Sequence, residues 1–190
     1  MAIHLAASAP AFNKGPYAAL TENQYSCRSF FTGQEVATLS EDPVADPARL
    51  EALHATMLLD TPAEEGFDQL TRLARETLDA PMALVSLVDH DRQFFKSHSG
   101  PIPEDFAAQR GTALSHSFCR HAVASGEAFV VEDAKEHPLV KDNPTALEYG
   151  VAAYAGVPLL SADGQALGTL CVLDTKPRKW RLATPQFGDT

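Results

Sequence analysis

Cys119 lies between His116 and His121, and these residue types at this spacing suggest two kinds of chemistry. A neighbouring histidine can activate a thiol as a nucleophile, and both residue types bind zinc. On a helix His116 and Cys119 would share a face, whereas His121 would point away from it. A zinc site would need further ligands, and the sequence has no Cys-x-x-Cys or His-x-x-x-His pair. We therefore expect no metal site and interpret Cys119 as a small, buried, apolar residue with partly exposed histidines beside it.

The other candidate groups are one cysteine and three acidic pairs. Cys171 lies in an apolar segment, which should bury the thiol and raise its pKa. The pairs are Asp89/Asp91, Glu104/Asp105 and Glu132/Asp133. The first two fall in turns and should be solvated, whereas Asp133 follows a strand and could contact a ligand or simply stabilise its turn. No catalytic constellation emerges, so the sequence predicts a chain that is not an enzyme.

Composition limits the function classes further. The chain has 190 residues, 45% of them hydrophobic, and a net charge of -10. This charge argues against binding to nucleic acid or anionic lipid, and no apolar run is long enough to insert into a membrane. The N-terminus lacks the basic start of a secretory signal, and three distant cysteines do not suggest a disulfide framework. We therefore expect a cytoplasmic protein.

Periodicity divides the chain into a leader, one domain and a short tail. Residues 1–43 show neither helical nor strand periodicity and are interpreted as a poorly ordered leader. The domain is predicted to cover residues 44–187, which leaves residues 188–190 as a tail. Thr184 and Pro185 resemble the start of a helix that the remaining residues are too few to complete, so the C-terminal helix is predicted to be truncated.

Two helices are predicted at the start of the domain. Asp46 followed by Pro47 is typical of a helix N-terminus. The first apolar stripe would comprise Leu50, Leu53, Met57 and Leu58. For the second helix, Thr61 and Glu64 have the spacing of a capping box. Its buried face would comprise Phe67, Leu70, Ala74 and Leu78.

The rest of the domain reads as strands with one further helix. Strands are predicted at residues 82–88, 93–97 and 128–131, with a loop over residues 100–112 and a short helix over residues 114–123. Two apolar runs flank Asp163 and Gly164, which predicts a tight hairpin in the middle of a sheet. Gly168 on its second strand indicates a close approach to a neighbouring strand. The predicted fold class is α+β with mostly antiparallel strands.

Several segments, taken in order, resemble a GAF domain of the bacterial signal-transduction type, as found in sensor histidine kinases and diguanylate cyclases. They are residues 58–61, 67–68, 85–89, 92–97, 117–119, 131–134, 154–159 and 164–174. The resemblance implies a central antiparallel sheet of five to six strands flanked by helices, with a ligand pocket on one face. It also implies a cytoplasmic sensory domain that binds a small molecule, or relays a signal to an output module in the same or another chain, and it is compatible with a homodimer.

Within that resemblance we place a ligand pocket between the sheet, the short helix and the loops. Its predicted ligand-binding residues are Phe118, Cys119, His121, Asp133, Asn143 and Tyr154. The identity of the ligand or of any cofactor does not follow from these residue types.

Three alternatives remain open beside the sensory domain. One is a thiol-dependent enzyme acting through Cys119, similar to the free methionine sulfoxide reductases. Another is a photoreceptor that attaches a bilin to cysteine, although Arg120 separates Cys119 from His121. The last is a domain with a filled pocket that serves as a dimerising spacer. The Asn-Lys-Phe-Asp-Glu pattern of cyclic-nucleotide-binding relatives is absent from the sequence.

Overall fold

The computed structural model describes residues 42–180 and, near the N-terminus, the backbone of a two-residue strand at residues 4–5. Residues 1–3, 6–41 and 181–190 lie outside the described residues. The predicted leader therefore lies almost wholly outside them, as do the predicted C-terminal helix start at Thr184 and the tail at residues 188–190.

The described strands form one antiparallel sheet, and six of them lie between residues 82 and 174. The strands are β1 His4–Leu5, β2 Met82–Val88, β3 Arg92–Ser99, β4 Gly111–Ala113, β5 Phe129–Val131, β6 Ala153–Leu160 and β7 Ala166–Asp174. Their order is β1-β6-β7-β2-β3-β4, and β5 also pairs with β6. The predicted α+β class and the antiparallel arrangement are confirmed.

Five helices in the described part of the chain connect and cover the strands. They are α1 Pro47–Ala55, α2 Glu65–Thr77, α3 Glu104–Gln109, α4 Cys119–Ser125 and α5 Pro144–Tyr149, with 3₁₀ turns at Pro43–Ala45 and Leu114–His116. The buried residues form a core on both faces of the sheet: one cluster lies towards α4, and smaller clusters lie towards α1 and α2. Among the described residues, no helix has the length and apolar character needed to cross a bilayer.

The predicted hairpin is central to the sheet. β7 pairs with β6 on one side and with β2 on the other, and every residue of β2 is buried. Gly164 in the connecting turn has φ +82°, a conformation that suits glycine. The apolar character of these strands on both faces therefore reflects coverage on both faces, as the sequence predicts.

The start of α1 agrees with prediction, but its apolar stripe does not. Asp46 caps the helix by accepting a hydrogen bond from the Arg49 amide at 2.9 Å. Leu53 is fully buried, whereas Met57 is 80% exposed because the helix ends at Ala55 and the chain turns away.

The predicted capping box at the start of α2 is wrong. The helix begins at Glu65, and the side chain of its N-cap residue Glu64 makes no capping hydrogen bond. The Lys96 ammonium instead donates to Thr61 Oγ1 at 2.6 Å and to Glu64 Oε1 at 2.5 Å. A buried cation from β3 thus takes both side chains that the local pattern assigns to the cap.

The buried face of α2 agrees with prediction except at Leu70. Leu70 is 36% exposed, whereas Thr71 is fully buried and bonded to Ser97 Oγ at 3.0 Å. Phe67, Ala74 and Leu78 are only half-buried. Thr71 lies on the same helical face as Phe67, Ala74 and Leu78, so the predicted face does point to the sheet, with a polar contact to β3 that helical periodicity does not reveal.

The chain between β3 and α4 is more structured than the sequence suggests. The predicted loop over residues 100–112 contains α3 and the start of β4. His116 lies in a 3₁₀ turn that ends before α4 begins at Cys119. The prediction that these two residues share one face of a helix is therefore wrong.

Candidate functional site

A cavity of about 330 Å³ lies between the sheet and the segment that runs from α3 to α5. Most of its lining side chains are apolar or aromatic, with a few polar groups among them. Ligand sites commonly have this composition and occupy about 300–1,000 Å³. The arrangement therefore suits a small organic molecule.

Strand alternation supplies the sheet side of the cavity. Side chains two residues apart on a strand point to the same face, so Leu84 and Ser86 of β2 and Cys171 and Leu173 of β7 line the cavity together. Gln93 and Phe95 of β3 and Tyr154 of β6 complete this surface.

Aromatic contacts assemble the opposite wall. The Phe106 ring of α3 lies 4.3 Å from the Tyr149 ring of α5, 6.3 Å from His116 and 6.4 Å from Phe95 between centroids. Thr145 of α5 donates to the His116 carbonyl at 2.7 Å. Two short helices and a 3₁₀ turn are thereby joined into one wall.

A hydrogen-bonded network lies at the sheet side. Gln93 Oε1 accepts from Ser117 at 2.7 Å and from Ser86 at 3.2 Å, and its Nε2 donates to Thr112 at 2.7 Å. All four side chains are buried. Because buried polar groups are costly without partners, this network fixes β2, β3, β4 and the start of α4 relative to one another.

Two thiols meet beside this network. The Sγ atoms of Cys119 and Cys171 are 3.8 Å apart, and both residues are buried and free. The hydrogen bond from Cys171, helped by Thr169, Tyr154 and Ser86, lowers the pKa of Cys119 to about 6 against the opposing effect of burial. The interaction with Cys119, together with burial, raises the pKa of Cys171 well above its usual value, as predicted for an apolar site.

Three of the six predicted site residues line the cavity. They are Phe118, Cys119 and Tyr154, and the Phe118 and Tyr154 rings lie 5.6 Å apart. Burial, followed by the charges of the two cysteines, raises the pKa of the Tyr154 phenol, which keeps the hydroxyl protonated.

The other three predicted residues do not line the cavity. His121 is two residues beyond Cys119 on α4 and points away, with its ring 5.0 Å from Phe129. Burial, reinforced by Arg120 and His137, lowers the pKa of His121 to about 4.

The remaining two of these residues organise turns. Asp133 accepts from the Lys135 amide at 3.0 Å, which is the turn-stabilising role left open by the sequence. Asn143 caps α5 through the Thr145 amide at 2.8 Å and donates to the Ser115 carbonyl at 3.2 Å. It thus holds the wall of the cavity in place without lining it.

The prediction that Asp89 and Asp91 are both solvated is wrong for Asp89. Asp89 is only 6% exposed and accepts from the His90 amide at 2.9 Å and from His54 Nε2 at 3.0 Å. These hydrogen bonds lower the pKa of Asp89 in spite of its burial, which by itself raises the pKa. Asp89, His90 and Asp91 could bring ligand atoms together, but their contacts with one another account for the cluster.

The GAF domain family model matches residues 62–187, which is most of the described domain. This chain belongs to the GAF family. The resemblance inferred from the sequence is confirmed, and the GAF domain is generally sensory or regulatory.

Among individual relatives, a cyclic di-GMP phosphodiesterase of Pseudomonas aeruginosa is 38% identical over 122 residues. The match covers 64% of this chain but 20% of that protein. The chain therefore spans about a fifth of the length of this curated relative.

Solved structures support the fold. The GAF domain of an Acinetobacter phosphoenolpyruvate-protein phosphotransferase matches with a TM-score of 0.51 and 15% identity, over 72% of this chain and 83% of that one. The corresponding domain from Coxiella burnetii gives 0.51 and 17%, over 72% and 82%. At these identities the likeness concerns the fold alone.

Proposed function

We propose that this GAF domain is a sensory and regulatory domain without catalysis of its own, which binds a small molecule in the cavity beneath α3, α4 and α5. The observation that carries the proposal is the cavity of about 330 Å³, lined mainly by apolar and aromatic side chains. Gln93, the lining residue at the centre of the polar network, already uses its side-chain amide in hydrogen bonds with Ser86, Ser117 and Thr112. The ligand is therefore a compact, largely apolar molecule with few polar groups.

The signal would leave the domain through the wall that contacts the ligand. α3 and α5 are each six residues long and meet through the rings of Phe106 and Tyr149 and through the hydrogen bond that Tyr149 OH donates to Asp105 at 2.9 Å. Such short elements gain much of their order from packing, so a ligand against these rings would favour one arrangement of the wall.

An output module in the same or another chain would receive that change. The notable identity to a cyclic di-GMP phosphodiesterase supports an output that acts on a cyclic dinucleotide, such as a phosphodiesterase or a diguanylate cyclase, with a histidine kinase as the alternative. Such modules act in the cytoplasm, and a homodimer would bring two of them together.

The test uses a library of compact aromatic and aliphatic compounds and the thermal unfolding of the full chain. Ile102→Trp adds bulk to a residue that lines the cavity, and the matched control Leu139→Trp places the same side chain at a 61% exposed position away from it. We expect at least one compound to raise the Tm of the unchanged chain and of the control, but not of Ile102→Trp. Binding in this cavity would be contradicted if no compound raised the Tm of the unchanged chain. It would also be contradicted if every stabilising compound raised the Tm of Ile102→Trp as much as that of Leu139→Trp.

A thiol-dependent enzyme is the second candidate, favoured by the lowered pKa of Cys119. Free methionine sulfoxide as substrate, supplied with a dithiol reductant, separates the two functions. Turnover that is lost in Cys119→Ser would support the enzyme. The bilin photoreceptor would be recognised by visible absorbance after co-expression with a bilin source.

A further inference from the structure

We propose that Cys119 and Cys171 form an oxidant-sensitive dithiol beside the cavity, which a hydroperoxide closes to a disulfide. The proposal does not depend on the ligand proposed above. It rests on the distance between the two sulfurs, on their position at the cavity and on two unpartnered hydroxyl groups next to them.

The distance makes a bond accessible by small movements. The two Sγ atoms are 3.8 Å apart, against about 2.05 Å in a disulfide. Cys119 is the first residue of α4, and Cys171 lies within β7 between β6 and β2. The end of a seven-residue helix can move more easily than a strand in the middle of a sheet, so α4 would supply the approach.

The position gives a small oxidant access to both sulfurs. Each residue is almost fully buried from bulk solvent, at 5% and 2% exposure, but both line the cavity. A molecule the size of hydrogen peroxide could therefore reach the pair.

Two hydroxyl groups next to the thiols lack ordinary partners. Tyr154 OH and Thr169 Oγ1 are buried with no hydrogen-bond partner among the described residues. A Cβ at Gly156, which pairs with Cys171 across the sheet, would lie 2.1 Å from Tyr154 OH. Both hydroxyls are close enough to affect the pKa of both cysteines. Buried donors without a partner are costly, so these two hydroxyls are available to a charged or polar group that forms beside the sulfurs.

The chemistry balances in two steps. The Cys119 thiolate attacks one peroxide oxygen, the O–O bond breaks, and the departing oxygen takes the proton released by Cys119 to form water or an alcohol. The Cys171 sulfur then attacks the sulfenic acid at Cys119, and its proton leaves with the hydroxyl group as water. Two electrons pass from the thiols to the peroxide, and a dithiol reductant would reverse the reaction.

The bond would change the cavity. It would draw the first turn of α4 towards β7, next to Phe118, and it would remove two thiols from the lining. The ligand cavity would thus differ between the reduced and the oxidised chain.

The experiment measures the intact mass of the full chain before and after hydrogen peroxide, without reductant. Because Cys27 lies outside the described residues, Cys27→Ser serves as the background. We expect a loss of the mass of two hydrogen atoms, a peptide linking Cys119 to Cys171, and recovery with dithiothreitol. In this background Cys171→Ser should instead accumulate a sulfenic acid at Cys119 that dimedone traps, and Cys119→Ser should give neither product.

The proposal would be overturned if the folded Cys27→Ser chain kept both thiols under peroxide, or if it formed only bonds between chains. The mass measurement on the Cys27→Ser chain does not depend on whether Cys119→Ser or Cys171→Ser folds. It therefore decides the question even if those two substitutions unfold the domain. Circular dichroism before oxidation identifies such unfolding.

Discussion

Gly168 on β7 approaches Ser86 on β2 so closely that a Cβ at Gly168 would lie 2.0 Å from the Ser86 carbonyl oxygen. The approach occurs where the pairing of β2 with β3 shifts register, between Val85 and Ser86. Ser86 also lines the cavity and bonds to Gln93. The absence of a side chain at one position of β7 therefore helps to set the geometry of the cavity surface.

Gly168→Ala should destabilise the domain by about 1–3 kcal/mol, because the added methyl group must push β2 and β7 apart. The matched control is Gly66→Ala in α2, where a Cβ would meet nothing within 4 Å. That change should stabilise the domain by about 0.5 kcal/mol through the higher helix propensity of alanine. Urea denaturation of both variants measures the difference, and equal stabilities would contradict a tight contact at Gly168.

Local signals predicted the elements whose geometry is decided locally. The start of α1 follows from Asp46 and Pro47, and the central hairpin follows from Asp163 and Gly164, as the structure confirms. The start of α2 could not be predicted in this way because its partner, Lys96, lies more than 30 residues further along the chain. A capping pattern carries no information about a cation that arrives from another strand.

The residues of the candidate site show the same difference between local sequence signals and contacts from distant parts of the chain. Phe118 and Tyr154 belong to regular apolar segments and line the cavity. Phe106 was missed because α3 has only six residues, too few for a periodic pattern in a proline-containing segment. The sequence predicts Asn143 at the cavity because polar residues in loops often contact ligands, whereas in the structure its side-chain amide caps α5.

Glu64→Gln should destabilise the domain by about 1–2 kcal/mol. The Lys96 side chain is fully buried and would keep only neutral acceptors, namely Thr61 Oγ1, the Pro62 carbonyl and the amide oxygen that replaces the carboxylate. The cost is moderated because the Glu64 side chain is 54% exposed and water can approach it. Chemical denaturation at pH 7 provides the measurement.

Glu65→Gln is the control for this substitution. Glu65 also forms an ion pair, with Arg72, but both side chains are largely exposed. Such pairs contribute less than about 1 kcal/mol. If the two variants lost the same stability, the burial of Lys96 would have no energetic consequence.

Arg49→Met should cost at least about 2 kcal/mol. The Arg49 guanidinium is buried and donates to the carbonyl groups of Val44, Val88 and Ala166. Methionine fills similar space but leaves these acceptors without a donor, and each buried unsatisfied group costs about 1–3 kcal/mol. The midpoint of urea unfolding should fall, with little change in its slope. Arg72→Met, at an exposed position on α2, should change the midpoint far less.

His121 should make the domain less stable as the pH falls from about 6.5 to 4. Burial lowers its pKa to about 4 in the folded state, whereas the unfolded chain binds a proton near pH 6.5. The stabilising contribution of the neutral ring is therefore complete above pH 6.5 and declines as the unfolded state takes up protons. Because the ring is only half-buried, we expect a loss of about 1–2 kcal/mol over this range rather than the full value of the shift.

His121→Phe removes the titrating group and keeps an aromatic ring against Phe129, which lies 5.0 Å away. Its stability should fall less between pH 7 and pH 5 than that of the unchanged chain, as measured by urea denaturation at each pH. The control His98→Phe, at an exposed position, should follow the unchanged chain. His137 contributes in the same direction because burial also lowers its pKa, so some acid sensitivity should persist in His121→Phe. If His121→Phe and His98→Phe responded identically to pH, the His121 ring would not be the group that resists protonation in the folded domain.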